Sequence, residues 1–337
     1  MTRKSPIWYL LASLLAYFAL WMCIPKARFL PAILGAIEHG MGHSHGLVWS
    51  ILAICGVIVV CIPTVAFMAA QISVVYFFSK LQLRFKGGLL CLVGCLAALA
   101  AIVAWMMAHP DLRPHDLLVV GRMPFGRQLG VVVATYHSGM LKMLMYGVIL
   151  LIAASIGNLV SLRVKDKNLL LPVVMFAASI DFWTVTIGPV SKILTNMPEI
   201  ASAVSAPIPK AGTGAFVPAT MMGPGDPLFI ALVFAAVLRL GMNGRRNYWF
   251  VFVAMTIAML LVLMGALDYA PALVALAIAV VAANWREFKL TRQEKISTAI
   301  VGAVLLASLP LIWHMLKPRE MPKKTPAPPI AAPRSHP

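Results

Sequence analysis

The sequence predicts an all-α fold, a polytopic transmembrane helix bundle, and three observations carry that prediction. Of its 337 residues 61% are hydrophobic and only 12% charged. Mean hydropathy is +0.89. Apolar stretches near the ~20-residue length that crosses a bilayer recur along the whole chain. Repeated helical spans satisfy their own backbone groups in lipid and pack side by side, so residues 1–316 read as one transmembrane domain. The stretch KPREMPKKTPAPPIAAPRSHP, 317–337, is basic and Pro-rich and reads as a disordered tail.

The first apolar run, 7–24, follows Arg3 and Lys4 and is closed by Pro25 and Lys26. No small-x-small cleavage site ends it, which marks an uncleaved first span rather than a signal peptide. The second, 47–78, exceeds a straight crossing at ~1.5 Å rise per residue, and Pro63 inside it predicts a kink, a tilt or an end outside the membrane. Spans at 89–108 and 141–160 flank a connection, 109–140, that mixes apolar pairs with Arg113, Arg122 and Arg127. Such a segment suits the membrane surface. Spans at 169–190, 226–240, 248–267, 270–284 and 298–316 bring the total to about nine. The long connection 191–225 is rich in Pro, Gly, Ala and Ser and has no sustained helical period. No internal repeat relates the two halves.

Lys and Arg number 28 against 11 Asp and Glu. The excess sits in short loops and the tail rather than on a continuous basic face with aromatics, which argues against nucleic acid and for a lipid bilayer as the partner. Arg3/Lys4, Lys80/Arg84/Lys86, Arg163/Lys165/Lys167, Arg239/Arg245/Arg246 and Arg286/Lys289/Arg292/Lys295 fall on alternate loops, all assigned to the cytoplasm. Residues 25–46, 109–140 and 191–225 then lie outside. The tail also falls outside on this count, against its own basic charge. Cys23, Cys55, Cys61, Cys91 and Cys95 all lie in or at the end of apolar runs, as small packing residues do, and an odd number gives no disulfide framework.

Three acids lie in or at the rim of the spans: Asp181, Asp226 and Asp268. A carboxylate in a bilayer core costs at least about 2.5–3.5 kcal/mol, so an intramembrane one marks a functional site until shown otherwise. Asp181, in VMFAASIDFWTVTIGPV, has no Lys or Arg within a helical turn. Asp226, in MMGPGDPLFIALVFAAVL, also reads as a helix cap, since Asp before Pro227 makes a good helix start. Gly223, Pro224 and Gly225 before it give irregular backbone with little bulk, open to close approach by another chain. Asp268, before Tyr269 in a short turn, reads as a solvated loop acid.

In order, IDFWTV around Asp181, GPGD over Gly223–Asp226 and PAL over Pro271, Ala272 and Leu273 resemble the presenilin and signal-peptide-peptidase group of GxGD intramembrane aspartyl proteases. The resemblance covers about residues 169–284. Ile180 stands where that family commonly has tyrosine, and Pro224 where it has leucine. The resemblance implies a presenilin-like catalytic half, with Asp181 and Asp226 as the catalytic acids. It implies that Gly223, Pro224, Gly225, Pro271, Ala272 and Leu273 contact an extended substrate. Two close carboxylates in a site of low polarity share one proton, so one can take a proton from water while the other polarises the scissile carbonyl. This chemistry calls for no cofactor and no metal.

The expected activity is therefore aspartic endopeptidase cleavage of transmembrane segments or remnant signal peptides of other membrane proteins, in a prokaryotic inner (cytoplasmic) membrane. A proton- or cation-coupled transporter would use the same buried acids and broken helices but leaves PAL unexplained. A prepilin-peptidase-like GxGD enzyme would carry a lysine after the motif, where Pro227 and Leu228 stand here. A scaffold in a larger membrane complex would merely pair the acids. EHGMGHSH places Glu38, His39, His43 and His45 together, three histidines able to hold zinc or another divalent metal, although histidines in a wet Gly-rich loop are more often simply solvated. H-E-x-x-H is absent.

Overall fold

The computed structural model describes residues 5–27, 47–110, 120–136, 138–186, 206–209, 218–223, 225–264, 267, 270–296, 299–300, 302–303 and 307. In chain order its principal elements are α1 (Pro6–Cys23), α2 (Leu47–Ser79), α3 (Phe85–Ala108), α4 (Phe125–Thr135), α5 (Gly139–Ser161), α6 (Leu170–Thr186), β1 (Ala206–Pro209), β2 (Pro218–Met222), α7 (Gly225–Arg239), α8 (Gly244–Leu263) and α9 (Ala272–Asn284).

A helix stands at each of the first eight predicted spans, and 298–316 lies mostly outside the described residues, as does the tail. Nine crossings are not established. Five described helices are long and apolar enough to cross a membrane: Pro6–Lys26, Cys61–Ser79, Phe85–Ala108, Gly139–Ser161 and Gly244–Leu263. The others are shorter, with 17 residues in α6, 15 in α7 and 13 in α9. Pro63 lies inside one continuous helix. The helix α4 occupies part of the connection expected at the membrane surface and packs on α3.

The mostly helical bundle also carries one short strand pair. Ala206–Pro209 and Pro218–Met222 form an antiparallel pair, with Ala206 opposite Met222 and Ile208 opposite Thr220. Proline explains why: Ala206 and Ile208 each precede one, which moves them out of the helical region into extended backbone. Ile208 and Met222 are buried, and β1 rests on α2 and α5.

At the centre of the bundle stands α7. Every residue from Ile230 to Val237 is buried, and a helix apolar on all sides must be covered on all sides. The helices α5, α2, α8, α9 and α6 surround it, while α1 lies outside against α2 and α5. That enclosure lets a helix too short to span lipid by itself stand at membrane depth. The α5–α7 contact is close because position 157 is glycine: a Cβ there would run into the Leu228 carbonyl and lie 2.8 Å from both Ala231 Cβ and Leu232 N.

One end of the bundle gathers the basic loops. Arg239, ending α7, donates from Nη1 to Ser161 Oγ (2.7 Å) and Asn158 O (3.1 Å). Its Nη2 donates to Asn158 Oδ1 (2.8 Å) and Leu83 O (3.0 Å). The cation thereby satisfies carbonyls at the α5 C-terminus. Glu287 accepts from Arg246 (2.6 Å) and from Lys167 (3.4 Å). Asn168 Nδ2 donates to Lys289 O and to Glu294. Glu294 also accepts the Thr291 N–H while the Thr291 hydroxyl accepts the Glu294 N–H, a reciprocal cap. The Thr291 backbone, its hydroxyl and Asn168 hold the Glu294 carboxyl below the usual carboxylate range. Four of the five predicted basic loops therefore share one end. Arg3 and Lys4 lie outside the described residues.

Above that end, Asn247 of α8 and Asn284 of α9, both fully buried, exchange two amide hydrogen bonds of 2.8 and 2.6 Å. Each amide also donates to a carbonyl of its own helix end, Asn243 O and Val280 O. Asn243 caps α8 by accepting from the Arg246 N–H, so α8 begins earlier than the apolar run suggested.

Candidate active site

The opposite end brings together the α7 N-terminus, the last turns of α6 and the α9 N-terminus. Asp226 lies inside the first turn of α7, because the helix already takes up Gly225. Its expected position as the capping residue before the helix is thus displaced by one step, and its N–H donates to Gly223 O at 3.2 Å. A Cβ at Gly223 would approach the Asp226 carboxylate no closer than 3.6 Å, and one at Gly225 would meet no atom within 4 Å. Among the described residues, then, packing does not demand these glycines. Pro224 lies outside the described residues.

Asp181 sits little more than a turn from the described end of α6, half-buried like Asp226. Its Oδ2 accepts the Leu273 N–H at 2.8 Å. The first turn of α9 has unpaired N–H groups, and its N-cap residue, Pro271, supplies no side-chain acceptor. Asp181 thus caps α9 from another helix, an arrangement favoured at the positive end of a helix. The same contact sets the PAL residues directly against one acid. Across α6 and α7, which touch, the Asp181 and Asp226 carboxyl groups lie within electrostatic range of one another.

Asp181, Asp226, Gly223, Gly225, Pro271, Ala272 and Leu273 therefore stand at one end of the bundle. Asp268, Glu38, His39, His43 and His45 lie outside the described residues. Among the described residues no group of three or more His, Cys, Asp or Glu side chains stands together. Cys23, Cys61, Cys91 and Cys95 are free thiols.

Sequence reading missed three features of the site's surroundings. The strand β2 leads straight into Gly223, yet its prolines suggested only irregular chain. Gly157 sets the seating of α7 two residues beyond Asp226, and its only sequence signal is the small-residue run AASIG. Arg239 reads as a loop charge but binds three backbone and side-chain groups of α5.

No protein-family model, no curated protein and no solved structure matches this chain.

Proposed function

We propose that the protein is an intramembrane aspartyl protease that hydrolyses peptide bonds within transmembrane segments or remnant signal peptides. One observation supports the reading: Asp181 accepts the Leu273 N–H of the PAL segment at 2.8 Å, within electrostatic range of Asp226 on the neighbouring helix. In this reading the pair holds one proton. Water adds to the scissile carbonyl carbon and gives its proton to the ionised carboxylate, while the protonated acid donates to the carbonyl oxygen. Collapse of the tetrahedral diol then breaks the C–N bond, and the amine nitrogen leaves with a proton returned by the pair. The Leu273 N–H occupies one oxygen of Asp181 and leaves the other for water.

A helical substrate must first expose its carbonyl, and an unwound backbone in lipid needs new partners. The strand pair supplies them on one side only. Pro207 and Pro209 have no N–H, so β1 can donate to the ladder only from Ala206 and Ile208. The outer edge of β1 therefore presents prolines and is blunted. On β2, Thr220 and Met222 face β1, which leaves the main-chain groups of Met221 for an added strand. That strand would lie beside Gly223–Asp226.

With the basic end in the cytoplasm, Asp181 lies towards the outer leaflet of a prokaryotic inner membrane, on a helix running outward, as in the signal-peptide-peptidase arrangement. Reconstitution with a fluorogenic transmembrane peptide tests the proposal. Asp181→Asn and Asp226→Asn should each lower cleavage at least about a hundredfold. Cleavage that survives either change would reject paired-acid hydrolysis. Cation flux lost in both variants, without proteolysis in the wild type, would establish a transporter instead.

A further inference from the structure

Away from the acids, α1, α2 and α5 enclose a polar group that their packing leaves unanswered. Gln71 of α2 is 1% exposed and Tyr17 of α1 0%. Neither Nε2 nor Oε1 of Gln71 has a hydrogen-bond partner among the described residues, and neither has the Tyr17 hydroxyl. The two side chains are neighbours whose polar atoms interact, but not within full hydrogen-bond geometry. Around them the wall is aromatic: Tyr17 packs on Phe67 and Trp21 with ring centroids 5.0 and 6.2 Å apart, and Trp21 on Tyr146 at 5.5 Å. An amide left dry among such rings is costly, all the more so inside a membrane.

The position of Gln71 relates it to the candidate site. Ser79 Oγ reaches Ala231 O (3.4 Å) and Arg239 reaches Leu83 O (3.0 Å), so α2 and α7 run alongside in the same direction. Gln71 lies two turns before Ser79, roughly 12 Å along the axis, and Asp226 roughly 7.5 Å before Ala231. The amide is therefore within one helical turn of the depth of Asp226. Strand β1, resting on both α2 and α5, stands at this end of the wall.

We infer that Gln71 and Tyr17 hold buried water between α1, α2 and α5, and that this water is the reserve from which the carboxylate pair is supplied. An uncharged amide beside a hydroxyl offers donors and acceptors together, which suits water and gives an ion nothing to neutralise its charge. The supply role rests on the proposed protease reading. The strand β1 rests on α2 and α5 and β2 leads into Gly223, so water held by those helices lies beside the strand pair that ends at the acids.

Synchrotron hydroxyl-radical labelling of the full chain in bilayer discs tests the hydration directly, because bound water radiolysed in place oxidises the side chains beside it. Wild-type Tyr17 should label despite its burial, and Gln71→Leu should remove most of that label. Tyr17→Phe, a milder change that retains the ring packing, should lower labelling at Trp21 and Tyr146. An unlabelled Tyr17 in the wild type, or labelling unaffected by Gln71→Leu, overturns the water site. For supply, Gln71→Leu should lower kcat for peptide cleavage severalfold with KM unchanged and no loss of thermal stability. An unchanged kcat with the label gone overturns the supply role alone. A wild type without proteolytic activity sinks the protease reading and the supply role with it, while labelling still decides whether the wall is hydrated.

Discussion

Met221 and Thr220 are neighbours in β2 whose N–H groups face opposite ways, and proline separates their roles. Thr220 faces β1, and Met221 faces the edge of β2 that no described strand covers. Met221→Pro should lower cleavage about tenfold, as expected for the loss of one substrate hydrogen bond, with the melting temperature unchanged. Thr220→Pro should instead break the strand pair and lower the melting temperature as well. Cleavage kinetics and thermal unfolding of both variants in the same detergent decide the matter, and unaltered kinetics in Met221→Pro would reject substrate pairing on β2. At this scale the acids and the PAL residues were legible because their residue types occur in a telling order. That Leu273 acts through its backbone N–H was not, since any residue other than proline supplies that group. Nor was the anchoring of Arg239: a cation after an apolar run reads as a loop charge until the carbonyls it faces are known.

Among the elements, the seating of α7 against α5 turns on Gly157. Gly157→Ala should force the two helices apart, at about 1–3 kcal/mol in stability. Because the Leu228 carbonyl is the group displaced, cleavage should fall more steeply than stability explains. Thermal melts paired with turnover read both effects, and normal turnover in a normally stable Gly157→Ala protein would contradict the close packing. Helix positions were readable because apolar runs bounded by charges follow from what lipid tolerates. Their ends were less so, as at α8, where Asn243 captures Arg245 and Arg246 into the first turn. The hairpin escaped notice because extended backbone in a proline-rich stretch looks the same whether or not it has a partner strand.

For the whole molecule, loop charge gives an orientation that side chains then tie together: Lys167, Arg246 and Glu287 join three loops at one end. Single cysteines introduced into a variant without native thiols can be probed in intact cells with an impermeant maleimide. Leu267→Cys should label from outside, and Asp166→Cys only after the membrane is opened. The reverse pattern would place the candidate site towards the cytoplasm. Charge on alternate loops sufficed to anticipate this common end, whereas the enclosure of α7 by five neighbours depends on contacts between segments distant in sequence.

That enclosure bears on how the molecule is made. Short, and bearing Asp226 and Arg239 at its two ends, α7 has little reason to settle in lipid by itself as it leaves the translocation machinery. The carboxylate of Asp181 waits longer still, for a partner 92 residues further along the chain. A nascent chain that has reached only α8 carries both acids but no PAL segment to complete the site. On the proposed protease reading, hydrolysis waits until α9 has emerged, a safeguard for the ribosome's other clients in the same membrane.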